Sequence, residues 1–338
     1  MNVILTGGGT AGHVIPNIAL LDELKQRFDH VYYVGSENSM EKSLAEKHGI
    51  KYFSVPVVKL DRSHLWRNFC VPARLCAGTK RAQKLLTDLG ASVVLAKGGY
   101  VSLPVALAAK KLGIPVVIHE SDFSMGLANK ICARFATRVL TAFDETAAKY
   151  RGSRVGIPLR KDFFFAPKSA GIIGKKTILF TGGSQGAGAI NRFVVENAGA
   201  LTKEFDVIHL TGKGKANNAP TLPGYTKIEY SNDMASLIRR ADLVVCRSGA
   251  TTLFEVATIG RPAIYVPLCS RATRGDQVLN ARAFQNMGFG TTLPESNLDL
   301  NTFLQAARKA LKLNISPMPP ADKAKIADVV LDAARSKA

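Results

Sequence analysis

Only one of the 338 residues is tryptophan and five are cysteine, and acidic side chains are outnumbered 26 to 45 by lysine and arginine. The cysteines (Cys70, Cys76, Cys132, Cys246, Cys269) are an odd set without any Cys-x-x-Cys. That argues against a disulfide framework and a structural zinc, and for a reducing, cytosolic compartment with the thiols buried. No uninterrupted apolar run approaches bilayer-spanning length. The apolar opening Val3-Ile4-Leu5 meets Thr6 and a run of glycines at once, unlike a signal peptide.

The shortage of acids leaves a formal charge of +19. Such a charge favours an anionic partner: nucleic acid, a phosphate-bearing ligand or an anionic membrane surface. The basic residues are dispersed along the chain, and no nucleic-acid motif accompanies them, so no nucleic-acid partner is expected.

What is present is a regular alternation of short apolar runs with helical patterns, the signature of parallel sheets wound by crossover helices. Length and composition allow two domains, each with its own core. In the first half, strands are expected at 2–6, 30–35, 93–96, 115–119 and 138–141, and helices at 14–27, 40–48, 72–89, 103–112 and 126–135. A linker-like stretch, 168–176, precedes strands at 177–181, 206–211, 227–230, 243–247 and 263–266. Helices at 301–313 and 321–336 close the chain, joined by a proline-rich segment.

The two halves share a strand, glycine turn and helix. Thr6-Gly7-Gly8-Gly9-Thr10-Ala11-Gly12-His13 opens the first, and Thr181-Gly182-Gly183-Ser184-Gln185-Gly186-Ala187-Gly188 the second. Each can present backbone N–H groups and a positive helix end to an anion, or can simply be a tight turn. Gly7, Gly9 and Gly12 also match the dinucleotide pattern G-x-G-x-x-G, but Val34 is followed by Gly35-Ser36 where that site usually places an acid. His13, at the start of the first helix, is suited either to proton transfer near neutral pH or to a structural hydrogen bond.

Several further segments complete a pattern. They are Lys97-Gly98-Gly99-Tyr100-Val101-Ser102, His119-Glu120, Gly126-Leu127-Ala128-Asn129-Lys130, Gly156-Ile157-Pro158-Leu159-Arg160 and Cys246-Arg247-Ser248-Gly249-Ala250. In this order, with the two glycine loops, they resemble the MurG family of bacterial N-acetylglucosamine transferases, from the first loop almost to the C-terminus. The resemblance implies an α/β chain of the GT-B fold, two Rossmann-like parallel-sheet domains facing a cleft. The acceptor and membrane side would lie in 1–160, the UDP-sugar side in 161–320, with the last helix, 321–336, packing back on the first domain. It also implies an inverting transfer from UDP-N-acetylglucosamine to lipid I, giving lipid II in peptidoglycan synthesis, at the cytoplasmic face of the membrane. No cofactor or essential metal is implied, and no Asp-x-Asp pair occurs to hold a divalent ion on the diphosphate. Loop amides, a helix N-terminus and basic side chains would then stabilise the departing UDP.

Residue roles carry over where the motifs align. The resemblance implies UDP-N-acetylglucosamine contacts from Thr10, Ala11, Gly12, Arg160, Ser184, Gln185, Gly186 and Ser231, and from Arg247, Gly249, Ala250, Thr251, Thr252 and Gln277. Glu255 would take the ribose hydroxyls, since a carboxylate accepts both hydrogen bonds; as an acid early in a helix it also suits the dipole. Tyr100 and Asn129 fall on the acceptor side. His13 is the first choice of base, with Glu120 and Asp122 behind it. Two places depart from the family pattern: Asp276-Gln277 where paired glutamines are usual, and Ser121-Asp122 where Gln-Asn follows the glutamate.

The segment 59–75 holds the sole tryptophan among arginines. Leu65, Trp66, Arg67, Phe69 and Arg74 form the expected membrane patch, apolar side chains ringed by cations. The alternative is that Trp66 and Phe69 pack into the core. Other functions kept in view are another GT-B enzyme, either a glycolipid synthase or a UDP-sugar epimerase, and a non-enzymatic nucleotide-binding protein.

Overall fold

The structure, a computed structural model, describes residues 1–37, 39–60, 65–164, 174–183, 186–215, 220–269 and 275–336. It forms two compact units: Met1–Arg160 with Pro320–Ala338, and Lys161–Pro319.

In the first unit β1 (Asn2–Thr6) leads through α1 (Ala11–Ala19) and α2 (Leu21–Lys25) to β2 (His30–Gly35), then α3 (Met40–Lys47) and β3 (Lys51–Ser54). A 3-10 turn, Leu65–Asn68, precedes α4 (Val71–Asp88), β4 (Ala91–Ala96), α5 (Ser102–Lys111), β5 (Val116–Glu120), α6 (Leu127–Cys132), β6 (Arg138–Thr141), α7 (Asp144–Lys149) and β7 (Ser153–Arg154). All pairings are parallel, in the order β3-β2-β1-β4-β5-β6-β7. The strand order therefore reverses between β1 and β4, the place where doubly wound sheets bind ligands at strand carboxyl ends.

The strands are apolar on both sides because both sheet faces are covered. Along β1, Val3 and Leu5 enter one core cluster and Ile4 the other, all fully buried.

The second unit repeats the scheme with β8 (Lys176–Thr181), α8 (Gly188–Glu196), α9 (Ala198–Glu204), β9 (Phe205–Leu210), β10 (Tyr225–Ile228), α10 (Met234–Arg240) and β11 (Leu243–Cys246). It continues with α11 (Ala250–Ile259), β12 (Ala263–Tyr265), α12 (Asp276–Asn286), β13 (Gly290–Thr292) and α13 (Leu300–Ala310). Its parallel order, β10-β9-β8-β11-β12-β13, reverses between β8 and β11. Phe180, Phe193 and Phe303 meet in its core, with ring centroids 5.1–6.4 Å apart.

The chain then re-enters the first unit as α14 (Lys323–Arg335). Asp322 caps it, accepting from the Lys325 N–H at 3.0 Å. Ile326, Ala327, Val330, Ala333 and Ala334 join the core cluster of Val3, Leu5 and Leu24. At about 1.5–3 kcal/mol for each large apolar side chain removed from water, this face anchors the helix. Arg27 on one side adds a 2.6 Å contact to Asp328.

Some expectations need correction. The single helix expected at 14–27 starts at Ala11 and breaks at Leu20, whose N–H turns to Asn17 O in a tighter three-residue turn. The strand expected at 227–230 is Tyr225–Ile228, a shift of two that keeps the same side chains on each face. Short strands β3, β7 and β13 and the six-residue α7 were not expected. The thiols are not uniformly buried: Cys132 and Cys246 are, whereas Cys70, Cys76 and Cys269 are exposed. Most of the linker-like stretch, 168–173, lies outside the described residues.

Among the described residues no helix is long and apolar enough to cross a membrane.

Candidate active site

In the first unit the loops leaving β1 and β4 lie side by side at the order reversal. A Cβ on Gly99 would stand 2.4 Å from Gly8 O, and Gly99 has φ +77°, so only glycine fits. The same position is 3.5 Å from His13 Nδ1, which places the histidine against the Lys97-Gly98-Gly99 turn. His13, half-buried in the first turn of α1, has its Nδ1 2.9 Å from Thr10 Oγ1. If Nδ1–H donates to the threonine, Nε2 carries the lone pair that a base needs.

Beneath this loop sits Glu41, 2% exposed, accepting from Ser36 Oγ and the Ser36 N–H. Its Oε1 is 2.5 Å from where a Gly8 Cβ would be. The first glycine loop therefore has a carboxylate for a floor, which disfavours a diphosphate there. Tyr100 lies over Gly9, and burial together with the Glu41 charge holds its phenol above the ordinary range.

Glu120 is buried and fully engaged. Oε1 accepts from the Asp122 N–H (3.0 Å), and Oε2 from the Gly126 N–H and Asn129 Nδ2 (both 2.9 Å). Three donors hold it inside the 120–126 turn, so it shapes that turn and is not placed to take a proton from a substrate. Asn129, also buried, gives its Nδ2 to His119 O and Glu120 and faces Gly98. Asp122, by contrast, is half-buried.

Pattern reading assigned no role to Lys97. It is 2% exposed at the end of β4, and its Nζ contacts His119 Nδ1 and lies 2.6 Å from Ser121 Oγ. No local sequence signal marks it: the β4–β5 register, which pairs Ala96 with Ile118, is what sets Lys97 beside His119.

In the second unit, α8 and α11 begin at the carboxyl ends of neighbouring strands β8 and β11. Their N-cap residues, Ala187 and Gly249, make no side-chain cap hydrogen bond. Two positive helix ends thus stand together, neither of them capped by its own N-cap side chain. Gly186, at φ +68°, is tucked against Thr211 O, where a Cβ would be 2.3 Å away. Ser184 and Gln185 lie outside the described residues. Thr251, Thr252 and Glu255 are half-buried on α11, with Ala250 buried at its start.

Three of the expected donor-site side chains also make contacts within the protein. Arg247 Nη1 pairs with Glu295 at 2.7 Å and donates to Val266 O, which anchors the guanidinium beside β12. Ser231 Oγ accepts from the Asp233 N–H, building the turn into α10. Gln277 Oε1 accepts from the Leu268 N–H at 2.9 Å, leaving its NH₂ as the end able to meet a sugar oxygen. Asp276 is the first residue of α12, where an acid suits the helix dipole. Arg160 stays with the first unit, near enough to His48 to reinforce burial and Lys47 in lowering that imidazole's pKa.

Trp66 and Phe69 are 64% and 86% exposed, so neither packs into the core. Arg74 is exposed on the first turn of α4, with Lys80, Arg81 and Lys84 exposed further along. The Leu65 and Arg67 side chains lie outside what is described. Among the described residues no group of three or more His, Cys, Asp or Glu is placed to hold a metal ion.

The glycosyltransferase family 28 N-terminal domain matches residues 3–141 and the corresponding C-terminal domain residues 177–334. The UDP-N-acetylglucosamine--N-acetylmuramyl-(pentapeptide) pyrophosphoryl-undecaprenol N-acetylglucosamine transferase of Lachnospira eligens is 41% identical over 319 residues, 91% of this chain and 90% of that protein. The protein of the same name from Lachnoclostridium phytofermentans is 41% identical over 315 residues, 90% and 89% of the two chains. The crystal structure of Acinetobacter baumannii MurG matches with a TM-score of 0.76 at 26% identity, over 98% of this chain and 99% of that one. Family models over both halves, full-length relatives and two parallel sheets of seven and six strands agree: the chain belongs to the MurG family of family 28 glycosyltransferases and has their GT-B fold.

Proposed function

We propose that this chain transfers N-acetylglucosamine from UDP-N-acetylglucosamine to the muramyl sugar of lipid I, giving lipid II, with inversion at the anomeric carbon. The observation that carries the reading is the pair of helix N-termini at the carboxyl ends of neighbouring strands β8 and β11, a ready cradle for a diphosphate leaving group. The relatives' names describe this transfer. The acidic floor of the first loop supports the division of labour, with the donor diphosphate on the second unit and the acceptor on the first.

The acceptor hydroxyl attacks the anomeric carbon of the donor sugar while His13 Nε2 takes its proton. Proton removal accompanies attack, because a sugar hydroxyl is too weak an acid to ionise beforehand. The bond from the anomeric carbon to the diphosphate oxygen breaks, and UDP departs with the electron pair. Amides at the starts of α8 and α11, with Ser184, Gln185 and Gly186, stabilise the charge that develops, and Arg160 adds a forked cation. Thr10, Ala11 and Gly12 line the reacting end. Glu255 receives the ribose hydroxyls, the backbone at Tyr230 to Asp233 reads the base, and the Gln277 NH₂ contacts the sugar. Tyr100, Asn129 and Asp122 belong to the acceptor side. No metal is required in this scheme.

The exposed pair Trp66 and Phe69, with Arg74 and the basic face of α4, enters the headgroup region of an anionic membrane. The enzyme thereby works as a peripheral protein on the cytoplasmic face, where a lipid-linked acceptor is presented.

The test is purified protein with labelled UDP-N-acetylglucosamine and a short-chain lipid I analogue, with diacylglycerol as the competing acceptor. Labelled lipid II analogue is expected. Transfer to diacylglycerol would indicate a glycolipid synthase, epimerised donor without acceptor an epimerase, and tight UDP binding without product a non-enzymatic protein. His13→Ala should lower kcat by about a hundredfold or more and leave UDP affinity unchanged; an unchanged kcat removes His13 from the mechanism.

A further inference from the structure

Among the described residues Lys97 is a buried basic side chain to which the proposed transfer gives no task. His119 Nε2–H donates to Gly156 O at 2.8 Å, which makes Nδ1 the acceptor of that ring and obliges Lys97 Nζ to donate to it. The second contact of Nζ, 2.6 Å to Ser121 Oγ, depends on the charge of the lysine. An ammonium has no lone pair, so it donates to Ser121 Oγ and the serine O–H turns elsewhere. A neutral amine has a lone pair and can accept that same O–H. Ser121 is 8% exposed and directly precedes the half-buried Asp122, whose N–H is fixed by Glu120. The proton on Lys97 is thus read out as the direction of one hydroxyl at the acceptor-side turn.

We propose that Lys97 is a positioning residue for the acceptor: its protonation state, passed on through the Ser121 hydroxyl, sets how the Ser121-Asp122 turn meets the acceptor sugar. This rests on the first unit being the acceptor side. Ser121-Asp122 stands where the family pattern reads Gln-Asn, so the hydroxyl that Lys97 contacts and the carboxylate that faces it are features of this chain.

The surroundings are balanced for such a switch. Burial disfavours the ammonium, while Glu120 at the end of β5 and Asp122 in the turn support it, leaving Lys97 lowered to about 7. The other titratable group facing it is His119 on β5; α1 meets the Lys97 stem at Gly7 through the His13 carbonyl, and Asn129 on α6 is uncharged. His119 is itself held well below the usual imidazole range by burial and by Lys97, so it stays neutral while the lysine titrates.

In the ammonium state the Ser121 O–H is available to an acceptor oxygen. The acceptor KM should therefore rise as pH increases from about 6 to about 9, by about fivefold, the size of one hydrogen bond exchanged with water. The donor KM should stay flat. Lys97→Met and Ser121→Ala should each abolish that step, and Lys97→Arg, charged throughout, should keep the low acceptor KM at the alkaline end. Titration of the Lys97 ε-carbon by NMR gives a readout that needs no turnover: the midpoint should lie near neutrality and fall in Asp122→Asn. If Lys97→Met does not fold, Ser121→Ala and Asp122→Asn carry the test. A pH step that persists in Ser121→Ala, or a Lys97 resonance that does not titrate in this range, overturns the proposal. Wild-type protein that shows the NMR titration but transfers no sugar overturns the proposed reaction instead.

Discussion

Replacing Ile326 by alanine tests whether the last helix is part of the first unit's core. Ile326 is fully buried against Val3, Leu5 and Leu24. The substitution removes three carbon groups, about 2.4 kcal/mol of transfer free energy at about 0.8 kcal/mol each, and the cavity left behind raises the cost to about 3 kcal/mol. The ion pair on the same helix offers a contrast. Asp328 is 58% exposed where it meets Arg27, so Asp328→Asn should cost under about 1 kcal/mol. Packing, not charge, is then what holds α14. At about 2–4 °C per kcal/mol, Ile326→Ala should lower the melting of the first unit by about 6–12 °C. Hydrogen exchange resolved by segment should show β1 and β4 losing protection with β8 and β11 unaffected. Loss confined to β8 and β11, or an equal cost for Asp328→Asn, would refute the assignment.

Three further outcomes follow from particular contacts. His209 is buried between Tyr225 OH (2.6 Å) and Asn191 Oδ1 (3.0 Å), and burial lowers it from 6.5 to about 4. Because its folded pKa lies below the unfolded one, the second unit should be fully supported above about pH 6.5 and lose up to about 3 kcal/mol as pH falls toward 4; urea midpoints of His209→Gln should be much less pH-dependent, and an identical acid slope would contradict this. Gly99→Ala pushes a methyl to within 2.4 Å of Gly8 O at a positive φ, so it should cost about 1–3 kcal/mol and raise the acceptor KM with donor affinity unchanged; wild-type kinetics would show that the β1 and β4 loops do not form the acceptor floor. Trp66→Ala with Phe69→Ala should weaken pelleting with anionic vesicles by about tenfold or more, the remaining binding being salt-sensitive, and undiminished pelleting would reject the patch.

Much of the first unit was legible because its signals are local. β1, β2 and β6 are short apolar runs bounded by turn residues, and they lie where pattern reading puts them. β3, β7 and β13 escaped because they hold only four, two and three residues, too few to show a period. The break at Leu20 escaped because apolar spacing runs straight through it. Glu120 looked like a possible base because a sequence shows a carboxylate but not the three N–H groups folded around it.

By itself the sequence determined the repeated strand, glycine turn and helix, the parallel-sheet class, and the order of motifs that marks the family. These depend on side-chain period and turn chemistry among near neighbours in the chain. Only the tertiary structure decided which groups share a buried volume: Glu41 under the first glycine loop, Ile326 and Val330 of α14 among Val3 and Leu5, and Lys97 against His119 and Ser121. That choice belongs to strand order and register, which bring distant residues within hydrogen-bond reach, and inside a low-dielectric core such neighbours decide each group's charge.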